Sequence, residues 1–245
     1  IIVPREAGDT GALAEFLSER RGSRVEVRPA ERGEKRRLQE LADQNAGLAL
    51  EADTAKAETS RLRRIEALEE LREVLNLESL PLRIECFDVS NIQEESPVAS
   101  MVVFQDGVPK KAHYRKFGIR GQDGQDDYAA LAEAVSRRVA RLGTAMSEEY
   151  DEGFASAPNL VVIDGGKGQL SAAIQAMQAY DLPRVAVIAL AKRVEEVFVP
   201  DQPESIRLER HSPGLQLLQR VRDEAHRFAL GFHRQRRDAR ARESI

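Results

Sequence analysis

The order of strands and helices in the second half of the chain restricts its fold more than any other feature. Three strand patterns come first, at 83–88, 97–105 and 112–119, and Asp106-Gly107 predicts a hairpin turn between the last two. A helix at about 126–142, a strand at 160–163, a helix at 169–180 and a strand at 185–190 follow. Antiparallel strands followed by alternating helices and strands predict an α/β fold, with a mixed sheet flanked by helices.

Two aspartates stand where strands of this predicted sheet end. Asp88 closes the first run and Asp164 closes the run at 160–163. The order of elements is that of the ribonuclease H-like fold, in which the first and fourth strands lie side by side and parallel, so we expect Asp88 and Asp164 to be neighbours. Two adjacent carboxylates are costly unless a cation lies between them, which predicts bound Mg²⁺ or Mn²⁺.

A histidine on a C-terminal helix completes this candidate site. Ser212-Pro213 predicts an N-cap and first helical position, opening an arginine-rich helix that runs toward residue 237 and carries His226. Two carboxylates and an imidazole can hold a divalent metal against a phosphodiester, so nuclease chemistry is the leading hypothesis. An imidazole ligand suits Mn²⁺ better than Mg²⁺. The residues leave open whether His226 binds the metal or transfers a proton.

Residues 1–80 are interpreted as a supporting segment and not as the site of chemistry. The pattern from 1 to 33 predicts strand, helix and strand (a βαβ unit), with the second strand at 25–27 and a cap at Asp9 or Thr10. Residues 34–78 have helical periodicity, with a break or a weakly packed stretch near 52–60. The predicted domains are therefore 1–80, an endonuclease domain at 81–240, and the start of a linker at 241–245.

Composition limits the other classes of function. No apolar run approaches the ~20 residues that span a bilayer, so no membrane partner and a cytoplasmic location are expected. Cys86 is the single cysteine, which excludes an intrachain disulfide and cysteine-based zinc sites. The net charge of −4 leaves room for a local basic face. Tryptophan is absent and tyrosines are few, so no aromatic stacking platform for bases is evident.

Several longer stretches together resemble one family, the UvrC proteins of bacterial nucleotide excision repair, in their C-terminal endonuclease region. These stretches begin at Glu85 (ECFDVSNI), Val98 (VASMVVF), Asp126 (DDYA), Ile163 (IDGGKGQL) and Arg222 (RDEAHRFA). They occur in order over about 83–237 and are highly specific in combination. One departure from the expected pattern is Glu94-Glu95, where a glycine is expected.

The resemblance implies a metal-dependent endonuclease with Asp88, Asp164 and His226 as catalytic and metal-binding residues. It also suggests a further acidic residue at Asp127, whereas its neighbour Asp126 is expected to cap the helix. The implied reaction is the cut on the 5′ side of a lesion in double-stranded DNA, on a complex with UvrB that is reached through segments absent from these 245 residues. Contacts to DNA phosphates are expected from Lys167, Arg222, Arg227 and Arg234.

Two alternatives stay open at this point. One is another ribonuclease H-like nuclease, such as a junction resolvase or a PIWI-type enzyme acting on RNA–DNA hybrids. The other is a nucleic-acid-binding module whose carboxylates merely cap turns. Metal binding separates the module from both enzymes, and comparing cleavage of damaged duplex, junction and hybrid separates the enzymes.

Overall fold

A computed structural model gives the fold of the chain. It describes all residues except 5–6, 31, 91–97, 120–125, 143–154, 181–184, 192–194 and 244–245, and the side chains at 90 and 232–243 are also outside the description. The chain divides into two compact units, Ile1–Arg61 and Leu62–Ile245. The domain boundary placed at residue 80 stays a prediction. In the part of the chain that is described, no helix is long and apolar enough to cross a membrane.

The first unit contains the βαβ arrangement expected from the sequence. Strands β1 (Ile2–Val3) and β2 (Arg28–Pro29) pair in parallel, and α1 (Thr10–Arg21) connects them. Asp9 caps α1, because its carboxylate accepts hydrogen bonds from the amides of Gly11 and Ala12. The predicted strand position was wrong by about three residues. The Ser18 hydroxyl accepts a hydrogen bond from the Val25 amide, which holds Val25 against α1. Pairing with β1 therefore begins only at Arg28.

Helix α2 (Glu34–Val74) is continuous for 41 residues, so the break considered near 52–60 does not occur. That stretch contains three alanines, Lys56 and Glu58, which have high helix propensity, and no proline. Only its last turns are buried, through Ala67, Leu68 and Leu71.

The second unit is built on a mixed sheet, whose strands in chain order are β3 (Arg83–Ser90), β4 (Val98–Gln105), β5 (Val108–Pro109), β6 (Arg115–Gly118), β7 (Leu160–Asp164), β8 (Ala186–Leu190) and β9 (Val197–Phe198). The described strands lie in the order β5-β4-β3-β7-β8-β9, and β6 pairs with β4. Strands β3, β7 and β8 are mutually parallel, whereas β4 and β9 run antiparallel to their neighbours. The ribonuclease H-like prediction is therefore confirmed. It includes the parallel pairing of the first and fourth predicted strands, which correspond to β3 and β7.

Helices cover both faces of this sheet because each central strand is apolar on both sides. Helices α3 (Asp127–Ala140) and α4 (Lys167–Gln178) pack on the face that carries Phe87, Met101 and Ile163. Helix α5 (Pro213–Glu243) and the end of α2 pack on the face that carries Ile84, Cys86 and Val162. Cys86 is a fully buried free thiol, as expected. Helix α5 continues to Glu243, and the linker placed at 241–245 stays a prediction.

Candidate metal centre at the ends of two parallel strands

Strand register brings Asp88 and Asp164 together. Parallel pairing of β3 with β7 matches Ile84 with Leu160 and continues to Phe87 with Ile163, so the next step sets Asp88 beside Asp164. Side chains alternate along a strand, and both aspartates therefore point to the face that α5 covers. The two carboxylates lie side by side on one side of the sheet, Asp164 at the end of β7 and Asp88 two residues before the end of β3.

Both carboxylates are shielded from water. Asp88 is 4% exposed, and both carboxylate oxygens of Asp164 are buried. Burial and mutual repulsion disfavour two ionised carboxylates side by side unless a positive charge compensates them. One ligand atom from each of Asp88, Asp164 and His226 can be chosen so that all three lie within 4.8 Å of one another. Carboxylate oxygens and an imidazole nitrogen fit a divalent cation such as Mn²⁺.

Helix α5 places His226 over Asp88. The imidazole Nδ1 lies 3.6 Å from the Asp88 carboxylate oxygen Oδ2, and the His226 side chain is about half exposed, at 49%. The helix is anchored beside this point by buried Val221 and Ala225, and the hydroxyl of Ser100 donates to the Ala225 carbonyl oxygen at 3.5 Å. Ser100 is also the cross-strand partner of Asp88, so one part of β4 aligns the helix with the carboxylate.

A cavity of about 390 Å³ opens beside the two aspartates and is also lined by Asp127. Asp127 is the first residue of α3, whereas the carboxylate of Asp126 accepts hydrogen bonds from the amides of Tyr128 and Ala129 at 3.0 and 3.1 Å and caps the helix. The structure therefore places one acid of the pair at the cap and the other at the cavity.

The glycine turn after β7 allows a close approach of backbone to side chain. The Gly166 amide donates a hydrogen bond to Oε1 of Gln169 at 3.0 Å, and both residues line the cavity. A Cβ added at Gly165 would lie 2.8 Å from the Gln169 side chain, which explains the glycine at that position. Gln169 was not predicted as part of the site, because its contact with Gly166 depends on the geometry of this turn.

The predicted DNA-binding cations that are described all contact protein groups. The Lys167 ammonium donates to the Pro203 carbonyl oxygen at 2.6 Å. The Arg222 guanidinium, whose side chain is 12% exposed, lies 3.0 Å from the Asp223 carboxylate and 3.8 Å from that of Glu195. Arg227 is exposed and bonds to Glu224 at 2.6 Å. The side chain of Arg234 and the loop with Glu94-Glu95 lie outside the described residues.

A polar cluster lies on α5 beside His226. The Tyr114 hydroxyl donates to the Glu224 carboxylate at 3.0 Å, and the Tyr114 ring packs edge-on against Phe228. Hydrogen bonds from Arg227 hold the pKa of the Glu224 carboxyl below its usual value, whereas burial raises the pKa of Tyr114. The Lys116 ammonium lies 4.7 Å from the Phe228 ring centre, and burial lowers its pKa. The pairing of Tyr114 with Glu224 was not predicted, because the two residues are 110 positions apart in the sequence.

Comparison with known proteins identifies related chains. The family model described as the UvrC RNAse H endonuclease domain matches residues 72–230, and that described as the UvrC Ribonuclease H-like domain matches residues 1–53. The UvrABC system protein C of Parafrankia sp. (strain EAN1pec) is 48% identical over 97% of this chain and 38% of that protein. Its counterpart from Thermobifida fusca is 45% identical over 97% of this chain and 39% of that protein. The chain thus spans about two fifths of these relatives.

A search of solved structures found endonuclease V from Ciona intestinalis in complex with inosine-containing DNA. It is 15% identical, with a TM-score of 0.32 over 52% of this chain and 56% of that one. A TM-score at this level is too low to relate the two active sites.

Proposed function

The chain belongs to the UvrC family and carries that family's RNase H endonuclease domain; we propose that it is a metal-dependent DNA endonuclease core that makes the 5′ incision beside lesions in bacterial nucleotide excision repair. The observation that supports this proposal is that one ligand atom from each of Asp88, Asp164 and His226 lies within 4.8 Å of the other two. The substrate would be damaged double-stranded DNA, held by UvrB and presented through other parts of the longer protein.

Asp88 and Asp164 are the proposed metal-holding pair, with His226 as a third ligand or a proton-transfer group. A divalent cation held by these residues would supply Lewis-acid stabilisation of the phosphate and of an attacking water molecule. The imidazole of His226 is half exposed to solvent, and its Nδ1 faces the Asp88 carboxylate. Asp127 lines the same cavity, and its proposed role is to orient the attacking water. In-line attack of water on phosphorus would leave a 3′-hydroxyl and a 5′-phosphate.

The first prediction concerns metal binding. Titration of the native protein with Mn²⁺ in a calorimeter is expected to show binding that Asp88→Asn abolishes, because the substitution removes one charged ligand from the site. Asp126→Asn is the matched control, since asparagine also caps helices and Asp126 uses its carboxylate as a cap. Failure of the native protein to bind Mn²⁺, both alone and with a short duplex present, would contradict the proposed centre.

The second prediction concerns salt. Contacts to the DNA backbone release counterions, so the logarithm of the affinity should fall linearly with the logarithm of salt concentration. If about four side chains contact phosphates, a fourfold rise in salt should weaken binding roughly 150-fold. Fluorescence anisotropy of a labelled duplex measures this slope, and Arg227→Gln should reduce it by about one. An affinity independent of salt would contradict backbone recognition.

A further inference from the structure

Tyr128 stands at the edge of the candidate metal centre with its ring open to solvent. It directly follows Asp127, which lines the cavity beside Asp88 and Asp164. Tyr128 is 50% exposed, and within the described part of residues 62–245 no other aromatic residue reaches comparable exposure. Of the other tyrosines, Tyr114 bonds to Glu224 and Tyr180 to Ser136. An exposed aromatic ring at this location has no evident role in the core.

The ring is seated on the first turn of α4. A Cβ added at Gly168 would lie 2.7 Å from a Tyr128 ring carbon and 2.9 Å from its hydroxyl oxygen. The absence of a side chain at Gly168 therefore lets the ring rest against the helix. Its backbone is fixed as well, because the Tyr128 amide donates to the capping carboxylate of Asp126 at 3.0 Å. The ring of Tyr128 is thus held by its contact with Gly168, and its backbone is held by the hydrogen bond to Asp126.

The charges around Tyr128 favour a nucleobase over a phosphate as its ligand. Asp126 and Asp127 precede it and would repel a phosphate group at that position. The face of an aromatic ring stacks on any of the four bases, since every base has a π-face. Such a contact does not depend on sequence, which suits an endonuclease that acts beside lesions in any sequence.

We propose that Tyr128 is a stacking platform for an unpaired nucleobase of the nucleotide next to the scissile phosphate. The proposal rests on the endonuclease function proposed above. The carboxylate pair would hold the phosphate through its cation, while the ring on Gly168 holds the adjoining base and so sets the position of the strand. Tyr128 would therefore be a substrate-binding residue that the sequence did not reveal, because its significance depends on Gly168, which is 40 residues away in the chain.

The experiment compares Tyr128→Leu, Tyr128→Phe and Tyr128→Trp for binding to a fluorescein-labelled duplex with a short unpaired stretch. Loss of the ring in Tyr128→Leu is expected to weaken binding on the order of tenfold, whereas the phenylalanine and tryptophan variants keep the ring and should stay within about twofold. Because the chain has no tryptophan, Tyr128→Trp also gives a unique fluorescent reporter. Its emission should be quenched by the unpaired duplex and left unchanged by inorganic phosphate.

The outcomes separate the two proposals. If the native protein binds and cuts the duplex but Tyr128→Leu binds it equally well, the stacking role is overturned while the endonuclease function stands. Tryptophan emission that does not change when anisotropy reports binding overturns it too, even if the leucine variant fails to fold. If the native protein binds Mn²⁺ but not the duplex, the platform is overturned while the proposed metal centre stands.

Discussion

Glu85→Gln is expected to lower the free energy of unfolding by about 3–5 kcal/mol, because it removes the carboxylate from a buried ion-pair network. Glu85 is fully buried and accepts hydrogen bonds from Arg138 at 2.7 and 2.8 Å and from Arg83 at 3.0 Å. Both guanidiniums are also buried, at 2% and 3% exposure. Glutamine preserves the size of the side chain but leaves these cations without that negative charge.

The matched control is Glu133→Gln on the outer side of α3. Glu133 pairs with Arg137 at 3.3 Å, one helical turn away, and both side chains are partly exposed, at 29% and 41%. Exposed pairs of this spacing contribute only about 0.3–0.5 kcal/mol. Urea denaturation of both variants gives the comparison, and equal effects of the two substitutions would show that the Glu85 network does not stabilise the fold.

The Glu85 network also shows where reasoning from sequence stops. The segment RIECFD predicts a strand that ends in an aspartate, and in the structure β3 covers this segment and continues to Ser90. Nothing in the sequence states that Glu85 meets Arg138, which lies 53 residues further along on α3. Such a pairing depends on how the helix packs against the sheet, and sequence periodicity reports which face is buried but not its partners.

The candidate site could be predicted from sequence better than the Glu85 network, because the order of the strands determines most of its geometry. Once β3 and β7 are placed side by side, the register sets Asp88 next to Asp164, and both were expected from apolar runs that end in aspartate. His226 was predicted from its place on the arginine-rich helix, and the family resemblance supported that choice, since one helical histidine is usually structural. Ser100 is a polar residue within the apolar run of β4, which indicates a special position in that strand. The sequence does not indicate that its hydroxyl bonds to α5.

Asp88→Asn is expected to reduce DNA cleavage on the order of a hundredfold or more while leaving the melting temperature unchanged or slightly raised. The loss follows because asparagine is a neutral and weaker ligand than the carboxylate, so both cation binding and stabilisation of the phosphate are impaired. The fold should not suffer, since the substitution removes one of two adjacent buried carboxylates and the repulsion between them in metal-free protein.

Nicking of supercoiled plasmid in the presence of Mn²⁺, measured together with thermal melting, tests both parts of this expectation. Asp126→Asn is again the control, because it makes the same chemical change at a cap and should leave nicking within about twofold of native. Reduced nicking with a lowered melting temperature would indicate a structural role for Asp88, and native activity in Asp88→Asn would exclude it from the site. Loss of nicking with unchanged melting separates the two roles, because a carboxylate that stabilised only the fold could not be removed without lowering the melting temperature.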